Sequence, residues 1–409
     1  MSWPPFFSAM FLLAFYEERG YNRAVNKNHF LEVCQEVVAV LNEKEQAVLE
    51  VIRQFPFYSQ QEIADYLGVS RSTVANMISD MIKRNYLLGR AYIINEDAPV
   101  ICIGGMNVDR KFYACQELIL KTSNPVRSEV SIGGVGRNIA ENLGRLGESV
   151  LMLSRAGDDQ DWELIKQQSQ SYINLRQVDI APDQATSSYT AVIDLDGEMS
   201  MALANMAICD TMTVAWLQQY EDLLSRARLL VVDLNLPRES VAYLIELAKE
   251  RGVSLALIPV SAPKMAHLPQ ELTGVEWLIV NQDESEFFFG QKANTESDFE
   301  ELAELWLNLG VKQVLITRGA RPMLYAKSSG ERLLVSPKRV PHMVDATGAG
   351  DSLSAGVLFG WLNGYDQKEI LEFGLTNAYH TILSSDTVRK TLSRHSFLQE
   401  RKDLFDHDN

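Results

Sequence analysis

The sequence predicts an α/β protein with a mainly parallel sheet, preceded by a small helical module. Two observations predict it. From Pro99 to about residue 400, short apolar runs alternate with helical patterns. Residues 43–94 instead carry three short helical patterns broken by Pro56 and Gly68. The length of 409 residues allows two or three domains, at about 100–200 residues each.

Composition narrows the function classes. Hydrophobic residues at 46% and charged residues at 22% exclude disorder as the main state. With 38 Lys+Arg against 54 Asp+Glu, the net charge of −16 excludes a whole-surface nucleic-acid binder, so any DNA contact is confined to a local patch. Cys34, Cys102, Cys115 and Cys209 form no CxxC pair. Neither a zinc cluster nor a disulfide framework is expected, and a cytoplasmic location fits.

Residues 1–42 form an aromatic-rich leader. Its apolar stretch Trp3–Tyr16 is followed by Glu17 and Glu18 and has no basic flank. It is shorter than the ~20 residues of a membrane span and reads poorly as a signal peptide. An amphipathic arm packed on the protein or on a second subunit, or an extension without a role, is expected.

Residues 43–98 comprise the module and its linker. Glu43–Gln54 places Val48, Leu49 and Ile52 at helical spacing, and Pro56 ends it. Ser59 with Glu62 forms a capping box for a helix over Gln60–Leu67. Ser70 caps a third helix running to about Arg84. Ile63, Ala64, Leu67, Val69, Val74 and Ile78 make the expected core, and Tyr86–Ile94 reads as a hairpin with Gly89-Arg90 at its tip. This order resembles a winged helix-turn-helix. Arg71, Ser72, Thr73 and Asn76, with Ser70, sit where such a fold meets base edges and phosphates. The charge over Ser59–Arg90 is nearly neutral, so a structural or dimerising role stands beside promoter-DNA binding through residues 59–90.

Buried strands are expected at Val100–Ile103, Val150–Leu153, Leu229–Val232, Ser254–Ile258, Trp277–Val280 and Val314–Ile316. Helical patterns lie between several of them, notably at Val241–Lys249 and Asp298–Leu309. Tyr189–Ala204 reads as a hairpin turning at Asp196-Gly197, a natural substrate lid.

The sharpest motif is Asp345-Ala-Thr-Gly-Ala-Gly-Asp351, followed at once by a helix over Ser352–Leu362. Small residues let the N–H groups of Gly348, Ala349 and Gly350 point outward at the positive end of the helix dipole. That makes an anion hole for a transferring phosphoryl group. Asp351 at the same terminus is placed to accept a proton from an attacking hydroxyl.

Together with Gly133-Gly134 and Asn138, this motif resembles the two signatures of the ribokinase-like (PfkB) carbohydrate kinases. The resemblance covers residues 99–400, leaving a polar tail at 401–409. It implies a doubly wound α/β core with a β-lid, ATP as donor, Mg²⁺, and transfer to a primary hydroxyl. No Walker P-loop is present. Carried over, Asp351 resembles the general base. Asn107, Asp109, Gly134 and Asn138 match sugar-contacting positions. Asn281 and Glu284 resemble an NxxE motif in which Glu284 organises Mg²⁺ through water. Thr317 and Gly319 match the nucleotide-binding turn, and Asn377 an Asn near the adenine. Asp345 matches a residue beside which family members hold K⁺.

Within the family, Gly133–Leu143, Thr186–Glu198, Pro259–Lys264 and Ser385–Val388 resemble pseudouridine kinases. Asn205, Arg318 and the bulky Asn377-Ala-Tyr-His-Thr381 depart from the usual pattern. The expected function is ATP-dependent phosphorylation of a nucleoside 5′-hydroxyl, pseudouridine first, by a homodimer fused to a DNA-binding module. Another nucleoside such as inosine, a free pentose, or a transcriptional regulator using the kinase fold as a ligand sensor are the alternatives.

Overall fold

The computed structural model describes residues 41–54, 60–84 and 98–406. The chain divides into two units, Met1–Ile94 and Asn95–Asn409. Residues 1–40 of the leader, Pro56, Ser59 and the hairpin expected over Tyr86–Ile94 lie outside the described residues.

In the first unit, α1 (Glu43–Gln54), α2 (Gln60–Leu67) and α3 (Arg71–Lys83) share a small core of Val48, Val51, Ile63, Ala64, Val74, Ile78 and Met81. Leu67 and Val69, expected inside, pack only partly buried against it. Gly68 takes φ +65° and turns α2 toward α3. The Ser70 side chain caps α3 by accepting the Thr73 N–H at 3.2 Å. Arg71, Ser72 and Asn76 are exposed on the first turns of α3, whereas Thr73 is half-buried, its hydroxyl 2.8 Å from Ser70 Oγ.

The second unit is built on a nine-stranded sheet. Its strands are β1 (Val100–Ile103), β4 (Val150–Ala156), β5 (Asn174–Ile180), β8 (Leu229–Asp233), β9 (Leu255–Ile258), β10 (Trp277–Asn281), β11 (Gln313–Arg318), β12 (Arg321–Lys327) and β13 (Arg332–Val335). The order is β13-β12-β11-β10-β9-β8-β1-β4-β5, parallel except for the antiparallel edge formed by β12 and β13. All six expected strands are present. Strands β5, β12 and β13 are additions to the expected set. The edge strands β5 and β13 are largely half-buried or exposed and lack the apolar runs of the centre, whereas β12, between β13 and β11, buries Met323–Ala326.

Those central runs are continuous because both faces of the sheet are covered. Ile101, Ile103, Leu230, Val232, Leu278 and Val280 enter one core; Val100, Cys102, Leu229, Val231, Trp277 and Ile279 enter the other. The covering helices include α4 (Val135–Arg145), α5 (Gln160–Ser169), α6 (Arg238–Arg251), α7 (Gln282–Phe289), α8 (Glu296–Asn308), α9 (Ala349–Leu362), α10 (Gln367–Ile382) and α11 (Arg394–Phe405). The last helix runs past the expected boundary at residue 400, because Arg401 pairs with the buried Glu372 at 2.6 Å.

A second, four-stranded sheet forms the lid, in the order β3-β2-β6-β7. The expected hairpin is there as β6 (Ser188–Ile193) and β7 (Met199–Asn205), turning at Gly197 with φ +84°. To it are added β2 (Asn107–Ala114) and β3 (Val126–Gly133). Strand alternation places Asn107, Asp109 and Lys111 on one face of this sheet. The cross-strand rows Val130–Arg110–Thr190–Leu203 and Phe112–Val192–Met201 occupy the other.

Helix α9, which begins at the DATGAGD loop, is buried continuously from Ser352 to Gly360. It packs against α10 at close range. A Cβ on Gly356 would lie 2.5 Å from the Phe373 carbonyl oxygen, and one on Gly374 would lie 2.6 Å from Val357 Cγ2. Gly356→Ala should therefore force the helices apart and destabilise the unit by about 1–3 kcal/mol. Urea unfolding should show a lower midpoint; an unchanged one would mean that this contact gives way without cost.

Candidate active site

The C-terminal ends of the parallel strands β1, β8, β10 and β11 lie along one edge of the sheet, where open α/β sheets bind ligands. After β1 comes Gly104-Gly105; β8 ends at Asp233; β10 ends at Asn281, paired in register with Thr317 of β11.

Asp233 organises this edge. It is 1% exposed, and its carboxylate accepts the backbone N–H groups of Gly105 at 2.8 Å, Gly136 at 2.9 Å and Asn235 at 2.8 Å. Burial pushes its pKa up, and the three N–H donors oppose that shift. A Cβ on Gly104 would lie 2.2 Å from Asp233 Oδ2. Gly134 caps α4 with φ +97°, and a Cβ there would lie 2.4 Å from the Gly105 carbonyl oxygen. The glycines of both segments are thus required by close approach.

From this frame α4 presents Asn138, whose Nδ2 donates to Asp351 Oδ2 at 2.7 Å. Two residues far apart in sequence thereby meet, one from each signature. Burial pushes the Asp351 carboxyl up to about 6. The Asn138 hydrogen bond and the Arg137 guanidinium oppose the shift, while the carboxylates of Asp233 and Asp109 add to it. Asp109, on the lid, is likewise raised to about 6 by burial, against the pull of Arg137, Lys111 and a hydrogen bond from Asn107 Nδ2. A carboxyl near 6 is ionised at neutral pH and still basic enough to take a proton.

The loop before α9 is shaped by Gly348, at φ +79°, where a Cβ would lie 2.3 Å from the Thr387 carbonyl oxygen. Ser385–Val388 therefore backs this loop. The N–H of Ala349 turns back to the Ala346 carbonyl at 3.2 Å, so it is already engaged within the loop, contrary to the outward direction expected for it. Gly350 is exposed at the first turn. Asp345 Oδ1 accepts from Thr347 N at 2.8 Å and Thr347 Oγ1 at 2.7 Å, and Oδ2 lies 3.1 Å from Lys111 Nζ of the lid. Burial would raise the Asp345 carboxyl, but the Thr347 donors and Lys111 hold it below its ordinary value.

The positions expected to meet nucleotide and metal are less uniform. Asn281 and Glu284 form a reciprocal capping box at α7, each backbone N–H donating to the other's side chain at 2.8 Å. Glu284 is buried, and burial raises its pKa. Thr317 Oγ1 donates to the Val280 carbonyl at 3.4 Å, and the exposed Gly319 takes φ +62°. Arg318 is clamped: it binds Glu296 through two bonds of 3.0 and 3.1 Å, donates to the Pro322 carbonyl, and lies over the Phe299 ring. Asn377 differs most from expectation. It is fully buried and donates to Asn142 Oδ1 and the Ser352 carbonyl, both at 2.8 Å, tying α10 to α4 and α9. It lies inside the helix packing, with no surface for an adenine to touch.

Three residues at the site escaped the sequence reading: Lys111, Arg137 and Asp233. Lys111 stands two residues beyond Asp109 and shares its strand face, a signal available once β2 is recognised as a strand. Asp233 closes an apolar strand as its only charge, which reads equally well as a strand end. Arg137 stands within the Gly133–Asn138 segment, where only its burial reveals a role. Among the described residues no group of three His, Cys, Asp or Glu is arranged to hold a metal ion.

Such an arrangement, an α/β core with a lid and a carboxylate at a helix N-terminus beside a glycine loop, defines a phosphotransferase. Residues 97–393 match the pfkB family of carbohydrate kinases, and residues 37–84 match sigma-70 region 4. The chain belongs to the pfkB family and is an ATP-dependent sugar or nucleoside kinase. It is 31% identical over 275 residues to a pseudouridine kinase of Escherichia coli (strain K12), covering 67% of this chain and 87% of that protein. It is 29% identical over 355 residues to an uncharacterized sugar kinase, YeiI, of the same organism, covering 86% of this chain and 97% of that one. Among solved structures, a carbohydrate kinase from Agrobacterium tumefaciens superimposes with a TM-score of 0.63 at 26% identity, covering 74% of this chain and 96% of that one. No described helix is long and apolar enough to cross a membrane.

Were Asp351 to act as a general base, its carboxyl, raised to about 6, would place the acid limb of the rate near that pH. Turnover should then fall about tenfold per pH unit below it. Asp351→Asn should lower kcat by roughly 10²–10⁴ while the sugar or nucleoside substrate still binds. A variant with near-normal turnover would remove Asp351 from the role of base.

Proposed function

We propose that the protein transfers the γ-phosphoryl group of ATP to the 5′-hydroxyl of a nucleoside, pseudouridine, giving pseudouridine 5′-phosphate and ADP. The observation that carries the chemistry is the Asn138–Asp351 hydrogen bond, which holds a raised carboxylate at the start of α9. The observation that favours the substrate is the relationship to the pseudouridine kinase of Escherichia coli, joined by one of Arabidopsis thaliana at 26% identity. A guanosine-inosine kinase of Exiguobacterium acetylicum, 27% identical, keeps a purine nucleoside as the second reading.

In this mechanism Asp109, helped by Asn107, accepts hydrogen bonds from ribose hydroxyls, and Gly134 and Asn138 complete the sugar site. Asp351 takes the proton of the 5′-hydroxyl as its oxygen attacks phosphorus. Charge developing on the phosphoryl oxygens is met by the N–H groups of Gly348 and Gly350 and by the α9 dipole, the Ala349 N–H joining only if it leaves Ala346. Asn281, Thr317 and Gly319 line the nucleotide side. Glu284, whose carboxylate already accepts the Asn281 N–H, suits a Mg²⁺ bound chiefly through nucleotide phosphates and water. That ion supplies charge neutralisation on the phosphates. The Asp345 carboxylate is taken by Thr347 and Lys111, so K⁺ beside it would rest on backbone carbonyls.

Two further parts belong to the proposal. The lid face bearing the exposed Val130, Met201 and Leu203 would be covered by a second copy of the chain. The exposed Arg71, Ser72 and Asn76, with Thr73, would meet promoter DNA, a role supported by the sigma-70 region 4 match.

A coupled ADP-release assay across nucleosides and pentoses tests the central claim. Pseudouridine should give the highest kcat/KM; a pentose or inosine exceeding it would replace the substrate. Asp109→Ala should chiefly raise KM, because ribose hydroxyls are bound in ground and transition states alike. Equal use of 2′-deoxynucleosides by the wild type would contradict the ribose role. For the module, Arg71→Ala should weaken promoter-DNA binding in fluorescence anisotropy without altering turnover, and affinity should fall steeply with salt. No binding at low salt would leave the module structural.

A further inference from the structure

Arg137 is 1% exposed, and its backbone N–H is fixed by the Gly105 carbonyl at 3.3 Å. Its Nη2 donates to Asn138 Oδ1 at 2.6 Å, and its Nη1 lies 2.9 Å from Glu141 Oε2. Glu141 is held independently by Arg145, whose Nε donates to Oε1 at 2.8 Å. Among the described residues the buried Arg137 Nε and Nη1 make no hydrogen bond, so Nη1 meets Glu141 as an ion pair alone and the one hydrogen bond of the guanidinium is that to Asn138.

A side-chain amide can present either its oxygen or its NH2 to a neighbour, and the two orientations have nearly the same shape. Arginine has donors only, so beside Arg137 Asn138 must present its oxygen there. Its NH2 then has one direction left, toward Asp351 Oδ2. A carboxylate that accepts a hydrogen bond is favoured in its ionised form; facing an amide oxygen it would be favoured protonated. The fixed amide thus decides which form of Asp351 the site holds.

We propose that Arg137 is a positioning residue that locks the Asn138 amide, so that Asp351 is held as an ionised acceptor with its second oxygen directed to the substrate hydroxyl. This rests on the kinase reading above, and on no particular nucleoside. The groups acting on Asp351 are Arg137 and Asn138 from α4, Asp109 from the lid, Asp233 at the end of β8 and Glu284 of α7. Three of these are carboxylates that oppose ionisation of Asp351, and Arg137 is the cation that offsets them.

The test is the acid limb of kcat at saturating nucleoside and ATP in three variants of the full chain. Arg137→Gln replaces a donor-only group by an amide that can turn either way. Its limb should move up by about 1 pH unit, the order expected for loss of a neighbouring charge and an ordered donor. Arg137→Lys keeps a donor-only cation and should stay closer to the wild-type limb. Glu141→Gln breaks the neighbouring ion pair but leaves the lock, and its limb should not rise. A limb in Arg137→Gln that coincides with wild type, or an equal rise in Glu141→Gln, would overturn the proposal. Should Arg137→Gln fail to fold, the lysine variant decides: a limb near wild type supports the lock, and a rise of a full unit or more overturns it. A wild type that releases no ADP with any nucleoside or pentose would instead sink the kinase reading itself.

Discussion

Asp233 ties the site to the sheet. One buried carboxylate accepts backbone N–H groups from the turn after β1, from the first turn of α4 and from the chain just beyond its own strand. Gly104 and Gly105 pass so close to Asp233 and Asn235 that a side chain at either position would collide. Because α4 begins where this carboxylate fixes it, Asn138 projects at the height of α9. Every later feature of the site, from the Asn138–Asp351 contact to the Arg137 bond, inherits that placement.

The same constraint explains why carboxylates crowd here. Asp109, Asp233, Asp351 and Glu284 all have their pKa values pushed upward by burial. They are told apart by their donors. Asp233 is given three backbone N–H groups and serves the frame. Glu284 is given the Asn281 N–H and serves a helix cap. Asp109 and Asp351 each receive one side-chain amide, from Asn107 and Asn138, and keep capacity for a substrate. The cations here are Arg137 inside and Lys111 at the lid, while Arg318 is held by Glu296.

The lid links acceptor recognition to the phosphoryl loop. Asp109 and Lys111 share one strand face, and Lys111 reaches Asp345 at the beginning of the DATGAGD loop. The strand proposed to bind the sugar thereby also touches the segment proposed to cradle the phosphoryl group. A change in lid position acts on both at once, which suits an enzyme that must exclude water before transfer.

By itself the sequence determined the six central strands, the helices of the N-terminal unit, the lid hairpin and the DATGAGD helix start. Each is a local pattern: a continuous apolar run, a capping serine, a glycine turn. It also pointed to Asp351 and Asn138 together, because both stand in short recognisable motifs, and the two side chains do meet. Tertiary structure alone decided that Asn377 faces inward to Asn142 and Ser352, since a helical Asn reads the same on either face until its neighbours are placed. It also decided that β2 and β3 are lid strands, that Asp233 is the frame and that Arg137 is buried. These depend on contacts between residues distant in sequence or on burial, and a hydrogen bond between distant segments leaves no periodicity in either one.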